Sequence, residues 1–202
     1  MNAARIYTIG HSNHEIETFV DLLKATNIDM IVDVRSAPFS KMYPHFNRDT
    51  LETVLKDNKI GYLFLGDLIG GRSRNRSDYE NGQVVYKRLA ATDEYQATIK
   101  RVLDGSSKFQ IALMCSEKEP LDCHRTLLVS QSLSDLGAQV AHIHADGKIE
   151  SQSDVLNRLL RNYNLDAPDL FDAEAERLQE ALLKQEKKIA YSDEQMSEGG
   201  GD

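Results

Sequence analysis

Cys115 and Cys123 are separated by seven residues, and Cys123 is followed directly by His124 and Arg125. A thiolate beside an imidazole and a guanidinium can serve as a nucleophile or as a soft metal ligand, because cationic neighbours favour the charged sulfur. Asp122 reads as a helix cap, which places Cys123 at the start of a helix, where the backbone dipole also favours an anion. The Asp122 charge works against that shift. Packing is the competing role for either cysteine, since free cysteines are commonly buried. It suits Cys115 better, because that residue ends an apolar run.

Other polar residues stand where loops should begin. Gly10-His11-Ser12 follows the first apolar run, Asp33 and Arg35 close the second, and Gly70-Gly71-Arg72 follows the third. Three readings arise. In the first, Cys123 or Cys115 is a catalytic thiolate and His124 or His11 transfers protons. In the second, Cys115, Cys123, His124 and His11 are four ligands for a transition metal, zinc or iron. Their Cys-x7-Cys-His spacing matches no standard zinc signature. In the third, Ser12, Arg35, Gly71, Arg72 and Arg125 bind phosphate or carboxylate groups. Glu117 and Glu119 can act as acids or bases or simply face solvent. Asp33 reads as an orienting partner of Arg35. His142 and His144 fall on one side of a strand, as a hydrogen-bonded pair at its end.

Two loops interleave bases with aromatics. One is Lys41 to Arg48, with Tyr43 and Phe46. The other is the insertion from Gly70 to Arg88, with Arg72, Arg74, Arg76 and Lys87 beside Tyr79 and Tyr86. Such interleaving suits single-stranded nucleic acid or a nucleotide.

The elements that must position these residues alternate. Ile6–Ile9, Met30–Val34, Gly61–Leu65, Phe109–Met114 and Val140–His144 read as strands. Helical spacing appears from Ile16, from Leu51, from Tyr95, from Asp122 to Leu136, and from Val155 to Leu160. Alternation of this kind predicts a three-layer α/β/α sandwich with a mainly parallel sheet of about five strands. Ligands of such sheets bind beyond the carboxyl ends of the strands, where the polar residues gather.

The expected organisation is an α/β domain over residues 1–163, an amphipathic helical extension over 164–190, and a disordered acidic tail over 191–202. Leu170, Phe171, Ala175, Leu178, Ala181, Leu182 and Ile189 mark the helix, which can dock on the body or on a protein partner. Residues 166–202 hold 11 acidic and 4 basic side chains, a charge of −7, whereas the other 165 residues carry only −1. The overall −8 therefore does not exclude an anion-binding face on the body. No apolar stretch is long enough to cross a membrane. The N-terminal residues lack the apolar run of a signal peptide, and two cysteines are not a disulfide framework. Cytoplasm is the expected location.

In order, the segments IYTIGHS, VDVRSAPFSKMYPHFN, LGDLIGGR and ALMCSEKEPLDCHRTLLVSQSL, then GAQVAHIHADG, resemble the family called domain of unknown function 488. The likeness covers about residues 4–150, and it implies an α/β fold and an intracellular prokaryotic-type protein without an assigned activity. IVDVRSAP and the LMC turn are also similar to rhodanese-like domains, in which a Cys matching Cys115 carries a persulfide. Here the loop after Cys115 is longer, carries Glu117 and Glu119, and ends in a second Cys. Leu121 stands where a Cys-x5-Arg phosphatase loop has its Arg. The leading expectation is an enzyme acting on an anionic substrate by thiolate or metal-assisted chemistry. The alternatives are a nucleic-acid or nucleotide-binding module and an interaction protein working through its acidic C-terminal helix.

Overall fold

A computed structural model describes residues 5–167 and 173–196. Six strands form the main sheet: β1 (Arg5–Gly10), β2 (Met30–Asp33), β3 (Gly61–Phe64), β6 (Ile111–Cys115), β7 (Gln139–Ile143) and β8 (Ile149–Ser151). Two further strands, β4 (Tyr79–Glu80) and β5 (Gln83–Val84), pair as a separate hairpin. The sheet order is β3-β2-β6-β1-β7-β8. All neighbours run parallel except β7 and β8. The sheet thus has one strand more than the five expected. Ile149-Glu150-Ser151 is too short and too polar to stand out as an apolar run.

Side chains alternate between the two faces of each strand, and the two faces hold separate cores. Tyr7, Ile9, Ile31, Ala112 and Met114 meet α1 (Ile16–Ala25) and α2 (Arg48–Asp57) through Phe19, Leu23, Leu51 and Leu55. Ile6, Val32, Ile111, Leu113 and Cys115 face the other way. There they meet α4 (Tyr86–Ala90), α5 (Asp93–Gly105) and α7 (Gln152–Asn162), together with the helix that follows Cys123. A short α3 (Gly66–Ile69) links β3 to the Gly-Gly-Arg segment. The fold is the expected three-layer sandwich.

The helix after Cys123 starts at His124, has wide π-type turns over Arg125–Ser130, and continues as α6 (Gln131–Asp135). Asp122 does not cap it. Asp122 ends a 3-10 turn, Pro120–Asp122, and Cys123 is the extended residue before the helix. Its carbonyl accepts from the N–H of Thr126, and its Sγ accepts from the N–H of Arg125 at 3.5 Å.

The C-terminal helix α8 (Glu174–Ile189) docks on the body. Ala181 is fully buried, and Leu178, Leu182 and Ile189 pack against the larger core. Ala175 faces solvent. Leu170 and Phe171 lie outside the described residues. Residues 191–196, expected to be disordered, instead carry a β-bridge from Ser192 to Gln83 and a 3-10 turn at Glu194–Met196. Among the described residues no helix is long and apolar enough to cross a membrane.

Candidate active site

The carboxyl ends of β2 and β6 and the start of the Cys123 helix meet at a cavity of about 200 Å³. Cys115, Cys123 and His124 form one wall, with Ser116, Glu117 and Asp122 beside them. Arg35, Ser36 and Ala37 form a second, and Gly71, Arg72 and Tyr86 a third. Ile189 and Tyr191, from α8 and the segment after it, complete the enclosure.

The three ligand-type side chains converge. His124 Nδ1 lies 3.8 Å from Cys115 Sγ and 3.9 Å from Cys123 Sγ. All three ligand atoms lie within 4.8 Å of one another. His124 Nε2 is 3.0 Å from the carbonyl oxygen of Val34. A carbonyl can only accept, so Nε2 carries the proton and Nδ1 presents its lone pair to the sulfurs. This is the arrangement in which metal-bound histidines are found, one nitrogen on the ion and the other donating to a carbonyl. A tetrahedral ion with ordinary Zn–S and Zn–N bonds sets its ligands about 3.6 Å apart. The trio needs little movement to reach that spacing. Gly71 packs on the His124 ring, and a Cβ there would press on it.

The thiols differ in acidity. Burial opposes a thiolate at Cys123, but a hydrogen bond from Cys115 and the charge of Arg125 overcome it and hold Cys123 well below the usual thiol range. Cys115 moves the other way, raised first by that hydrogen bond and then by burial. The opposite directions make Cys123 the more acidic thiol of the pair. Glu117 sits at the rim, and partial burial together with the Cys123 charge pushes its carboxyl up.

The structure places the remaining candidates around this core, not all of them inside it. Arg35 lines the cavity but is locked by Asp33, with Nη2 to Oδ2 at 2.6 Å and Nε to Oδ1 at 2.9 Å. Tyr62 donates to the same carboxylate. Arg35 Nη1 donates to the Phe46 carbonyl and to His11 Nε2. His11 is thereby committed: Nδ1 donates to the Ser12 carbonyl, Nε2 accepts from Arg35, and the ring stacks on Phe46 at 4.3 Å. Burial, then the Arg35 charge, lowers its pKa to about 4. His11 is neither a fourth metal ligand nor a wall of the cavity; it props up Arg35. Ser12 also stays outside the cavity. It takes a left-handed φ of 47°, and its N–H donates to the Ser116 carbonyl.

Arg125, expected to hold substrate, is fully buried behind the cavity. Nη1 donates to the Glu117 carbonyl at 2.6 Å, Nη2 to the Lys118 carbonyl, and Nε to Thr8 Oγ1. It fastens the loop between the cysteines. Thr8 in turn donates to His142 Nδ1, His142 Nε2 donates to Gln152 Oε1, and Gln152 reaches the Thr126 carbonyl. The side chains of Arg125, Thr8, His142 and Gln152 in that buried chain all have partners, which is what makes a polar core tolerable, whereas the buried Thr126 hydroxyl has none. His144 pairs with Glu150 instead of His142. Glu119 accepts from the Leu121 N–H and pairs with Arg158, away from the cavity.

Two arginines of the second basic loop are engaged by carboxylates, and one arginine of the first lies on a ring. Arg74 pairs with Asp67, Arg88 with Glu80, and Arg48 lies over Phe64. Tyr86, Ile189 and Tyr191 had no signal in the sequence that tied them to the cysteines. Asn81-Gly82 could have revealed the hairpin before Tyr86: both residues take positive φ, as in the tight turns that this pair favours.

Over residues 15–131 the sequence matches the family described as Domain of unknown function DUF488. The chain belongs to this family. No curated protein and no solved structure matches it. The matched span includes β2, β6, both cysteines, His124 and Arg125, and it ends before α8.

Proposed function

We propose that this member of the family is a cytoplasmic enzyme that holds zinc or iron on Cys115, Cys123 and His124 and uses it on a small anionic substrate. The observation that carries the reading is the convergence of two sulfurs and one carbonyl-anchored imidazole at a cavity flanked by arginines. Cys₂His sets with a fourth position left open are of the catalytic kind. Such an ion supplies Lewis acidity toward a carbonyl or phosphoryl oxygen. The chain's own groups do the rest. Arg72 attracts the anion, the Asp33-paired Arg35 shapes the wall beside it, Arg125 keeps positive charge behind the sulfurs, and Glu117 holds or releases a proton at the rim. Binding a divalent ion displaces the Cys115 proton, so affinity rises with pH.

The deciding measurement is the metal content of protein purified without chelator, beside Cys123→Ala. Near-stoichiometric metal that is lost in the variant is expected, with sulfur-to-metal charge-transfer bands when cobalt(II) is substituted. Absence of metal and of those bands from the wild type overturns the reading. A second reading rests on the acidity of Cys123, in which its thiolate attacks the substrate directly. It predicts metal-free protein whose Cys123 alkylates well below pH 8.5, about the value for a free thiol. The pairing of Arg74 and Arg88 with carboxylates favours either enzyme over a nucleic-acid-binding module. Oligonucleotide affinity falling steeply with salt would reverse that preference.

A further inference from the structure

The cavity is built by the family-matched part of the chain except at one side. There Ile189 and Tyr191 close it, and both lie beyond the match. This side is fixed, not loosely apposed. The Tyr191 carbonyl accepts from the Val84 N–H at 3.0 Å, and Gln83 Nε2 donates to the carbonyls of Ala190 and Lys187. Glu186 accepts from the Tyr86 N–H at 2.8 Å. Gln185 Nε2 donates to the Leu121 carbonyl at 2.9 Å, just ahead of Cys123. The segment therefore grips the β4–β5 hairpin on one side and the cysteine loop on the other.

Arg72 stands at the mouth of this wall. Its guanidinium lies over the Tyr191 ring, 4.4 Å from the centroid, and its side chain is exposed. Among the described residues no carboxylate pairs with it, whereas Arg35 is neutralised by Asp33. An aromatic face orients a guanidinium without cancelling its charge. Arg72 is thus held ready for a ligand anion. The cavity, at about 200 Å³, is smaller than the roughly 300–1,000 Å³ of sites for drug-sized ligands.

We propose that Tyr191 and Ile189 are the specificity wall of this site, that Arg72 meets the ligand's charge, and that the ligand is a small organic oxyanion. This rests on reading the cavity as a substrate site, and it is independent of whether metal is the catalyst. Calorimetric titration of the full chain as purified tests it, with inorganic phosphate, acetate and phenyl phosphate as small probes and adenosine monophosphate as the large one. The wild type should bind at least one small probe and reject the large one. Arg72→Ala should weaken the small probe about tenfold or more, the usual loss for a charged hydrogen bond. Tyr191→Ala should admit the large probe, and Tyr191→Phe should restore the wild-type selectivity, because the ring forms the wall. The idea is overturned if no small probe binds the wild type, if Arg72→Ala binds as well as wild type, or if size selectivity survives in Tyr191→Ala. Metal with no Arg72-dependent binding would sink this proposal alone. Arg72-dependent binding by metal-free protein would sink the metal reading alone.

Discussion

Gly10 is small because of the loop it supports. A Cβ at that position would overlap the Glu117 carbonyl oxygen, the acceptor that Arg125 grips. Gly10→Ala should therefore destabilise the fold by about 1–3 kcal/mol, the usual cost of overpacking, and displace the cysteine loop. A urea midpoint measured beside metal content checks both effects; unchanged metal binding would show that the loop tolerates the shift. Arg125→Met should have a different signature. It strands the carbonyls of Glu117 and Lys118, each at about 1–3 kcal/mol if no water reaches it, and leaves the Thr8 hydroxyl with His142 alone. It also removes a charge that favours the Cys123 thiolate, so the midpoint pH of alkylation should rise in metal-free protein. At this scale the sequence was informative about residue types and poor on their direction. Cys123 and His124 could be singled out by their adjacency. Nothing in the order Cys-His-Arg says that the Arg turns inward to carbonyls while the His turns to the cavity.

Among the elements, the regular ones were legible and the irregular ones were not. Met30–Asp33 and Ile111–Cys115 are nearly continuous apolar runs, as buried parallel strands require. The two-residue strands of the β4–β5 hairpin and the polar β8 leave almost no periodicity to read. For α8 the apolar stripe predicted an amphipathic helix. Its landing place depends on polar ties that no stripe encodes, notably Gln185 to Leu121 and to Tyr163. Gln185→Ala should cost about 1 kcal/mol and loosen the turn ahead of Cys123. Faster proteolysis near α8, together with weaker metal retention, is the expected outcome. Faster proteolysis alone would mean that the helix docks without supporting the cysteines.

For the molecule as a whole, strand order is the missing quantity. The rule that ligands sit beyond the carboxyl ends of parallel strands points to the edge where the cavity lies, but only the order β2-β6-β1 brings Arg35, Cys115 and Gly10 side by side. The buried network below the site makes stability depend on pH. Burial, aided by the Arg125 charge, lowers the pKa of His142 to about 4, and burial does the same at His11. An unfolded histidine titrates near 6.5. Between about pH 4 and 6.5 the unfolded chain binds more protons, so stability rises with pH across that window and levels off above it. The gain is on the order of 3 kcal/mol for each ring. Urea midpoints from pH 4 to 8 check the sign, and His142→Asn should remove about half of the climb. A flat profile would mean that the two rings are not buried neutral.

The wide turns of Arg125–Ser130 link the cavity end of one helix to its packed end. A π segment behaves as an α-helix with an extra residue, and such segments often occur at functional sites. Deleting one residue there would let the helix close into ordinary α turns. Leu133 could keep its place in the core, but His124 would then rotate by about 100° about the axis, one residue's turn. A single deletion should therefore leave a folded protein that no longer binds metal. The reading frame of this helix, and not only its residue types, sets whether the two sulfurs have an imidazole to face.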